Sequence, residues 1–241
     1  MQISRSSPLP LHHQLRDILE RQIRGGVWAP HEAIPTEYDL ADRYGLSRTT
    51  VRQAISTLVV EGLLYRQQGK GTFVAPPKIA QPLDSLLGFI EILQQQGQAL
   101  DIHVFSIGVE PAASDAARAL ALADDTKVVA IKRRVDVEKQ PLVWDHSYLP
   151  AELLPLVTSA KLRTRSVLHL LEEAGHRLGE ATHTIATRAV TPDEAMVLQL
   201  EPGSPVMVIR RTVYAADGRP LDYSRAVYRS DRYEFEFRLR R

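Results

Sequence analysis

The sequence predicts an α+β chain in two parts. The first, residues 1–75, is a winged helix-turn-helix; the second, residues 83–241, is an antiparallel sheet with helices. Three observations carry this: two capped helices about a glycine turn followed by a glycine-rich hairpin, a proline-rich segment, and an internal repeat of about 78 residues. With 241 residues, 44% hydrophobic and 24% charged, the composition is near the globular average and excludes disorder or a fibrous fold. The absence of cysteine excludes a disulfide framework, a cysteine-ligated metal and a thiol nucleophile. No apolar run approaches the ~20 residues of a membrane span, so the expectation is a cytoplasmic chain with no membrane partner.

Leu11, Leu15, Ile18 and Leu19 fall on one stripe of a first helix that ends near Gly25-Gly26. Residues 30–35 connect it to Thr36-Glu37-Tyr38-Asp39, an N-cap threonine with an acid three residues on. That second helix stops at Gly45. Ser47 caps a third, running to about Glu61, whose Val51, Ala54, Ile55 and Leu58 share one face while Thr49, Arg52, Gln53 and Ser56 share another. Gly62 stands where a helix C-terminus favours glycine. Leu63–Gln67 and Thr72-Phe73-Val74 are strand-like runs around Gln68-Gly69-Lys70-Gly71, a hairpin with glycines where positive φ is required.

Charge divides along the same lines. Residues 1–77 hold 9 Lys/Arg against 7 Asp/Glu. Within them, residues 32–42 hold four acids and no base, and residues 43–75 hold five bases against Glu61 alone. A local basic face on a near-neutral chain is the footprint of a DNA reader; the alternative is a solvated surface with Arg52 paired to a neighbouring carboxylate.

Ala75-Pro76-Pro77-Lys78-Ile79-Ala80-Gln81-Pro82 has three prolines in eight residues, and residues 76–82 read as a stiff, extended linker. Beyond it the chain repeats. Ser114-Asp115 through Leu122 matches Pro192-Asp193 through Leu200, Val128–Arg133 matches Val206–Arg211, and Gln140-Pro141-Leu142 matches Arg219-Pro220-Leu221. Each unit reads as helix, strand, turn and returning strand, which implies one sheet with a pseudo-two-fold. His103, His146, His169, His176 and His183 lack the paired spacing of a metal site, so no metal or other cofactor is expected.

Pro35-Thr36-Glu37, Leu40-Ala41, Gly45 through Ala54, Glu61–Leu64 and Gly69–Val74 resemble the winged helix of GntR-family bacterial regulators. The resemblance implies Arg48 and Arg52 in the major groove of operator DNA, with Ser47, Thr49 and Thr50 on phosphates or base edges and Thr36 beside them. Gln68, Gly69 and Lys70 of the wing would meet the minor groove or backbone. An arginine bidentate to guanine is worth about 1–3 kcal/mol of discrimination. Tyr38 stands where many members carry an arginine. In the second part, Ile131-Lys132-Arg133, Ser147–Pro150, Ser166 with Leu170–Glu173, and Asp217 through Tyr233 resemble the UTRA ligand-binding domain of the HutC-type branch, whose fold is similar to chorismate lyase.

That second resemblance implies a small-molecule effector, an anionic metabolite or a sugar derivative. Arg133, Ser166 and Thr164 would hold the anion, and Asp145, Asp222 and Tyr228 the polar body. Both aspartates stand where glutamate is usual, and Val135 where a second arginine is common. Without a ligand, Arg133 would simply pair with Asp145 across the sheet, and Ser166 would be a helix cap. Together the resemblances imply a homodimeric, ligand-responsive repressor on a two-fold operator. The alternative is a lyase-like small-molecule enzyme fused to a DNA-binding head, although no nucleophile–base pair, HExxH or phosphate-cradling loop is present.

Overall fold

The computed structural model describes residues 3–67, 69–82 and 88–236, and the chain parts into two compact units at Ile79/Ala80. In the first unit, helices α1 (Leu11–Arg24), α2 (Glu37–Tyr44) and α3 (Arg48–Val60) precede a hairpin of β1 (Leu64–Gln67) and β2 (Gly71–Val74). The caps set the boundaries. Thr36 accepts from the Asp39 N–H while the Asp39 carboxylate accepts from the Thr36 N–H, closing a capping box on α2. Gly45 ends α2 with φ 63°, a left-handed conformation that glycine adopts without penalty. Ser47 accepts from the Thr50 N–H at 3.1 Å and starts α3. Leu15, Leu19, Leu40, Val51, Ile55, Leu58, Leu64 and Val74 share one buried core, and each large apolar side chain contributes ~1.5–3 kcal/mol.

The second unit begins on β3 (Ile79–Pro82), followed by α4 (Phe89–Gln95), β4 (Leu100–Pro111), α5 (Ser114–Ala119), β5 (Lys127–Val137) and β6 (Gln140–Pro150). A 3-10 helix, Ala151–Leu156, leads into α6 (Ser159–Leu162), α7 (Val167–Glu173), β7 (Leu178–Ala189) and α8 (Pro192–Leu198). The chain ends through β8 (Pro205–Ala215), β9 (Pro220–Arg229) and β10 (Tyr233–Glu236). Six strands form one antiparallel sheet in the order β4-β5-β6-β9-β8-β7, and β3 pairs with β10 separately. The order is a palindrome of two β-α-β-β repeats whose pseudo-two-fold runs between β6 and β9.

Two differences from the sequence reading have physical reasons. Residues 79–82, expected within a free extended linker, are a strand paired with β10; proline is tolerated because Pro82 ends the strand, outside any central ladder. The repeats also each begin with a twelve-residue strand, β4 and β7, that the sequence reading did not assign. Both are sheet edges with largely exposed residues, so their apolar alternation is weak.

The sheet is covered on both sides. Val129, Ile131, Leu149 and Val213 meet Leu162, Leu168 and Leu171 from α6 and α7 on one face. On the other, Val128 and Tyr223 pack on Ala116 and Ala117 of α5, and Val206 and Val227 on Ala195 and Leu198 of α8. Among the described residues, no helix is long and apolar enough to cross a membrane.

The turn joining β5 and β6 places Glu138 and Lys139 at φ 53° and 63°, a strained geometry for side chains, whereas the matching turn of the second repeat uses Gly218 at φ 86°. Lys139→Gly relieves one such residue and is expected to stabilise the protein by about 0.5–1 kcal/mol. Guanidinium unfolding should show a higher midpoint at unchanged slope, and a lower midpoint would contradict this account.

Candidate functional site

The first candidate surface is the exposed start of α3 with the wing. Ser47, Arg48, Thr49 and Arg52 are exposed along it, and Thr50 is half-buried because its hydroxyl bonds the Ser47 Oγ at 2.8 Å. Arg48 makes no hydrogen bond or ion pair among the described residues, so its guanidinium is available to a partner. Arg52 is not free. Its Nε donates to Glu37 at 3.1 Å, and Arg66 of β1 approaches the same carboxylate at 3.8 Å. The surface ion pair that stood as the alternative for Arg52 is present in the structure. A 61% exposed arginine in such a pair is held by no more than ~1 kcal/mol, so a phosphate or guanine can take it over. Thr36 is exposed at the α2 N-cap. Gly69 (φ 72°) and Lys70 sit exposed at the wing tip, and Gln68 lies outside the described residues. The sequence reading did not single out Arg5, which donates to the Gly45 carbonyl at 3.1 Å and so lies against the turn between α2 and α3.

The second candidate is a cavity on one face of the six-stranded sheet, lined by Arg133, Asp145, Ser166, Arg211, Ser224 and Tyr228, with Gly88, Phe89, His183 and Phe235 among its other walls. The register explains the grouping. Arg133 lies opposite Asp145 across β5–β6, Arg211 lies opposite Ser224 across β8–β9, and Ser147 faces Ser224 across the central β6–β9 pair. Arg133 and Arg211 are equivalent positions of the two repeats, and the pseudo-two-fold brings them onto one cavity.

Each arginine has its own acid. Arg133 Nη2 donates to Asp145 Oδ2 at 2.7 Å, and the Ser147 hydroxyl donates to the same oxygen at 3.1 Å. Arg211 Nη2 donates to Asp222 Oδ2 at 3.1 Å, with the Asp222 side chain 0% exposed. Burial pushes the Asp222 carboxyl up and Arg211 opposes it; the Asp222 charge in turn keeps Arg211 protonated against its own burial. Burial, then the Asp145 charge, push the Tyr228 phenol above its usual range, leaving it a protonated donor. Burial and the nearby Arg211 lower His183, which stays neutral at pH 7. Gly88 packs directly on Ser166: a Cβ there would stand 2.9 Å from the serine Cβ, closer than side chains tolerate. Ser166 itself caps α7 by accepting from the His169 N–H at 3.0 Å.

Comparison with known proteins fits both halves. The family model described as bacterial regulatory proteins, gntR family, matches residues 11–74, and the UTRA domain matches residues 95–234. The chain belongs to the GntR family, in its UTRA-bearing branch. It is similar to the HTH-type transcriptional repressor NagR of Bacillus subtilis, 32% identical over 98% of this chain and 97% of that one. It is 36% identical to the HTH-type transcriptional regulator Rv0792c of Mycobacterium tuberculosis, over 100% of this chain and 90% of that one. The crystal structure of PhnF from Mycobacterium smegmatis shares the fold, with a TM-score of 0.64 at 24% identity, covering 93% of this chain and 98% of that one. These relatives are transcriptional regulators, which decides against the lyase-like enzyme alternative.

For this GntR-family chain the structure gathers Arg133, Asp145, Ser166 and Tyr228 around one cavity and leaves two expected ligand residues off its wall. Thr164 is exposed, and its hydroxyl turns back to the Lys161 carbonyl at 3.2 Å because it caps the end of α6. Asp222 lies beneath Arg211 rather than on the wall; the cross-strand diagonal aims it at the guanidinium. Sequence reasoning missed Arg211, although the repeat alignment contains the signal, since Val206–Arg211 matches Val128–Arg133. Among the described residues, no group of three or more His, Cys, Asp or Glu could hold a metal ion. Removing Asp222 would leave the Arg211 charge buried and uncompensated, so Asp222→Ala is expected to cost about 3–5 kcal/mol in denaturant unfolding. A loss below ~1 kcal/mol would mean the pair is solvated.

Proposed function

We propose that this regulator acts as a cytoplasmic homodimeric repressor whose operator grip is relieved when a small metabolite enters the Arg133–Arg211 cavity. The observation that carries the reading is that cavity. It brings two arginines and a carboxylate into one buried place in a unit separate from the DNA-binding helices. GntR regulators bind operator DNA through the winged helix and a small effector through the UTRA domain; the residue roles proposed here are those the family resemblance implies. Arg48 and Arg52 read bases from the start of α3, with Arg52 exchanging Glu37 for DNA. Ser47, Thr49 and Thr50 approach phosphates, Thr36 flanks them, and Gln68, Gly69 and Lys70 follow the adjacent groove. In the cavity, Arg133 and Ser166 hold the acceptor end of the effector, and Asp145 and Tyr228 hold its hydroxyl or amine groups.

The route proposed from cavity to DNA follows the strand order. Phe235 of β10 lines the cavity, and β10 pairs with β3, the strand that leads out of the DNA-binding unit. The cavity measures about 30 Å³, whereas ligand sites usually enclose ~300–1,000 Å³. An entering effector therefore has to displace a wall, and Phe235 of β10 is one of the walls it meets. Dimerisation is supported by the two twelve-residue edge strands, β4 and β7, which expose Phe105, Val109 and Ile185 and unpaired backbone.

Arg48→Ala is expected to lose ~1–3 kcal/mol of operator binding and to relax discrimination at one base position in each half-site. Lys70→Ala should weaken specific and non-specific DNA alike and reduce the slope of log affinity against log salt by ~1. Fluorescence anisotropy on operator and scrambled duplexes separates the two, and unchanged discrimination in Arg48→Ala would sink the α3 assignment.

Arg133→Ala is expected to bind operator with wild-type affinity but to ignore the effector, giving a permanently bound repressor. The effector is first found by thermal-shift screening, and operator release is then titrated in both proteins. Normal release by the variant would reduce Arg133 to a structural strand residue.

A further inference from the structure

We infer that the Arg133–Arg211 cavity is matched to a ligand of zero net charge that carries both hydrogen-bond acceptors and donors, and that it rejects a phosphate dianion. The inference rests on the reading of this cavity as the effector site and adds the chemical class of the effector.

The charges decide it. Two guanidiniums stand at the cavity, and each is already bonded to its own carboxylate, at 2.7 Å for Arg133–Asp145 and 3.1 Å for Arg211–Asp222. The four groups sum to zero. His183 at the rim adds nothing, because burial and Arg211 keep it neutral at pH 7. Position 135, on the strand that carries Arg133, is a fully buried valine. Arg134 faces the opposite side of the sheet and is bonded to Asp136 at 2.7 Å. Glu91, whose Oε2 is buried without a partner beside Gly88, brings one more acid and no base. A dianion entering this space would carry two charges, and among the described residues at the cavity no cation without an acid of its own stands to meet them.

What the cavity does offer is hydrogen bonding. Arg133 Nε and Arg211 Nε are buried donors without a partner among the described residues, and buried polar atoms of this kind are normally satisfied. They come from pseudo-two-fold positions, so they present donors from two sides. The Tyr228 hydroxyl adds a donor, and Asp145 is the acceptor on the wall. A ligand that satisfies them offers oxygens to the arginine N–H groups and an O–H or N–H to Asp145. Sugar hydroxyls meet that description, and so does the carboxylate–ammonium pair of an amino acid.

The test is thermal unfolding of the full chain at neutral pH and fixed ionic strength, with millimolar inorganic phosphate replacing chloride. The wild type is expected to show no phosphate-dependent shift. His183→Lys adds one positive charge at the rim with both ion pairs kept, and Asp145→Asn removes one negative charge from the wall. Each should gain a phosphate-dependent rise of about 2–4 °C, and Arg133→Met in the His183→Lys background should abolish it. A wild-type shift that Arg133→Met removes overturns the inference, as does the absence of any gain in both variants. Matched pairs separate the two ligand sources. Glucose is compared with glucose 6-phosphate, and serine with phosphoserine; tighter binding of either phosphorylated member also overturns it. Phosphate binding through Arg133 would leave the cavity standing as a ligand site and remove only the charge class, whereas normal effector response in Arg133→Ala removes the site itself.

Discussion

A guanidinium taken out of water must find a counter-charge, and this protein buries two on one sheet face. Arg133 is 3% exposed and the Arg211 side chain 17% exposed. Each sits on a central strand pair whose partner strand carries the matching aspartate, Asp145 on β6 and Asp222 on β9. Desolvating such a pair costs several kcal/mol per ion before the attraction returns it, so the pairs are weak contributors to stability and strong constraints on geometry. The antiparallel register, the duplication that equates the two arginines and the apolar helices α6 and α7 over the same face all serve to hold these charges at fixed positions. The cavity is what remains between them.

The sequence made some elements legible and hid others for identifiable reasons. Helices α2 and α3 were readable because their starts are set by local chemistry: Thr36 with Asp39, and Ser47, each satisfying backbone N–H groups within four residues. The wing was readable because Gly69 and Gly71 occupy positive φ. The edge strands β4 and β7 were not readable, since an edge exposed on both faces needs no hydrophobic alternation. Strand β3 was hidden by its prolines and by a partner, β10, more than 150 residues away. Long-range pairing leaves no local trace.

The candidate site shows the same division. Of the residues the family resemblance implies, Arg133, Asp145, Ser166 and Tyr228 converge on one cavity, whereas Thr164 turns to its own helix end. Arg211 stood in plain view in the repeat alignment. A pseudo-two-fold brings equivalent side chains together when they lie near its axis, as Arg133 and Arg211 do. Asp222, expected on the ligand, is instead bonded to Arg211 and off the cavity wall.

On the DNA side the acidic stretch 32–42 has a role that net charge conceals. Glu37, at the start of α2, pairs with Arg52 and stands within reach of Arg66. An exposed pair of this kind is marginal, so the cost of surrendering Arg52 to a phosphate or guanine is small. If Arg52 contacts DNA as proposed, the pair would restrain a long side chain near that position and reduce the rotamer entropy lost on binding. The effector faces the same accounting in reverse. Ligand and operator can oppose each other only through a difference in affinity between two arrangements of the protein, typically ~1–3 kcal/mol, and by linkage each must weaken the other equally. Under the proposed function, a cavity smaller than its ligand would supply that difference, because the arrangement admitting the ligand would be one in which the walls around Phe89 and Phe235 have moved. Phe235 belongs to β10, and β10 pairs with β3, the strand at the boundary between the two units.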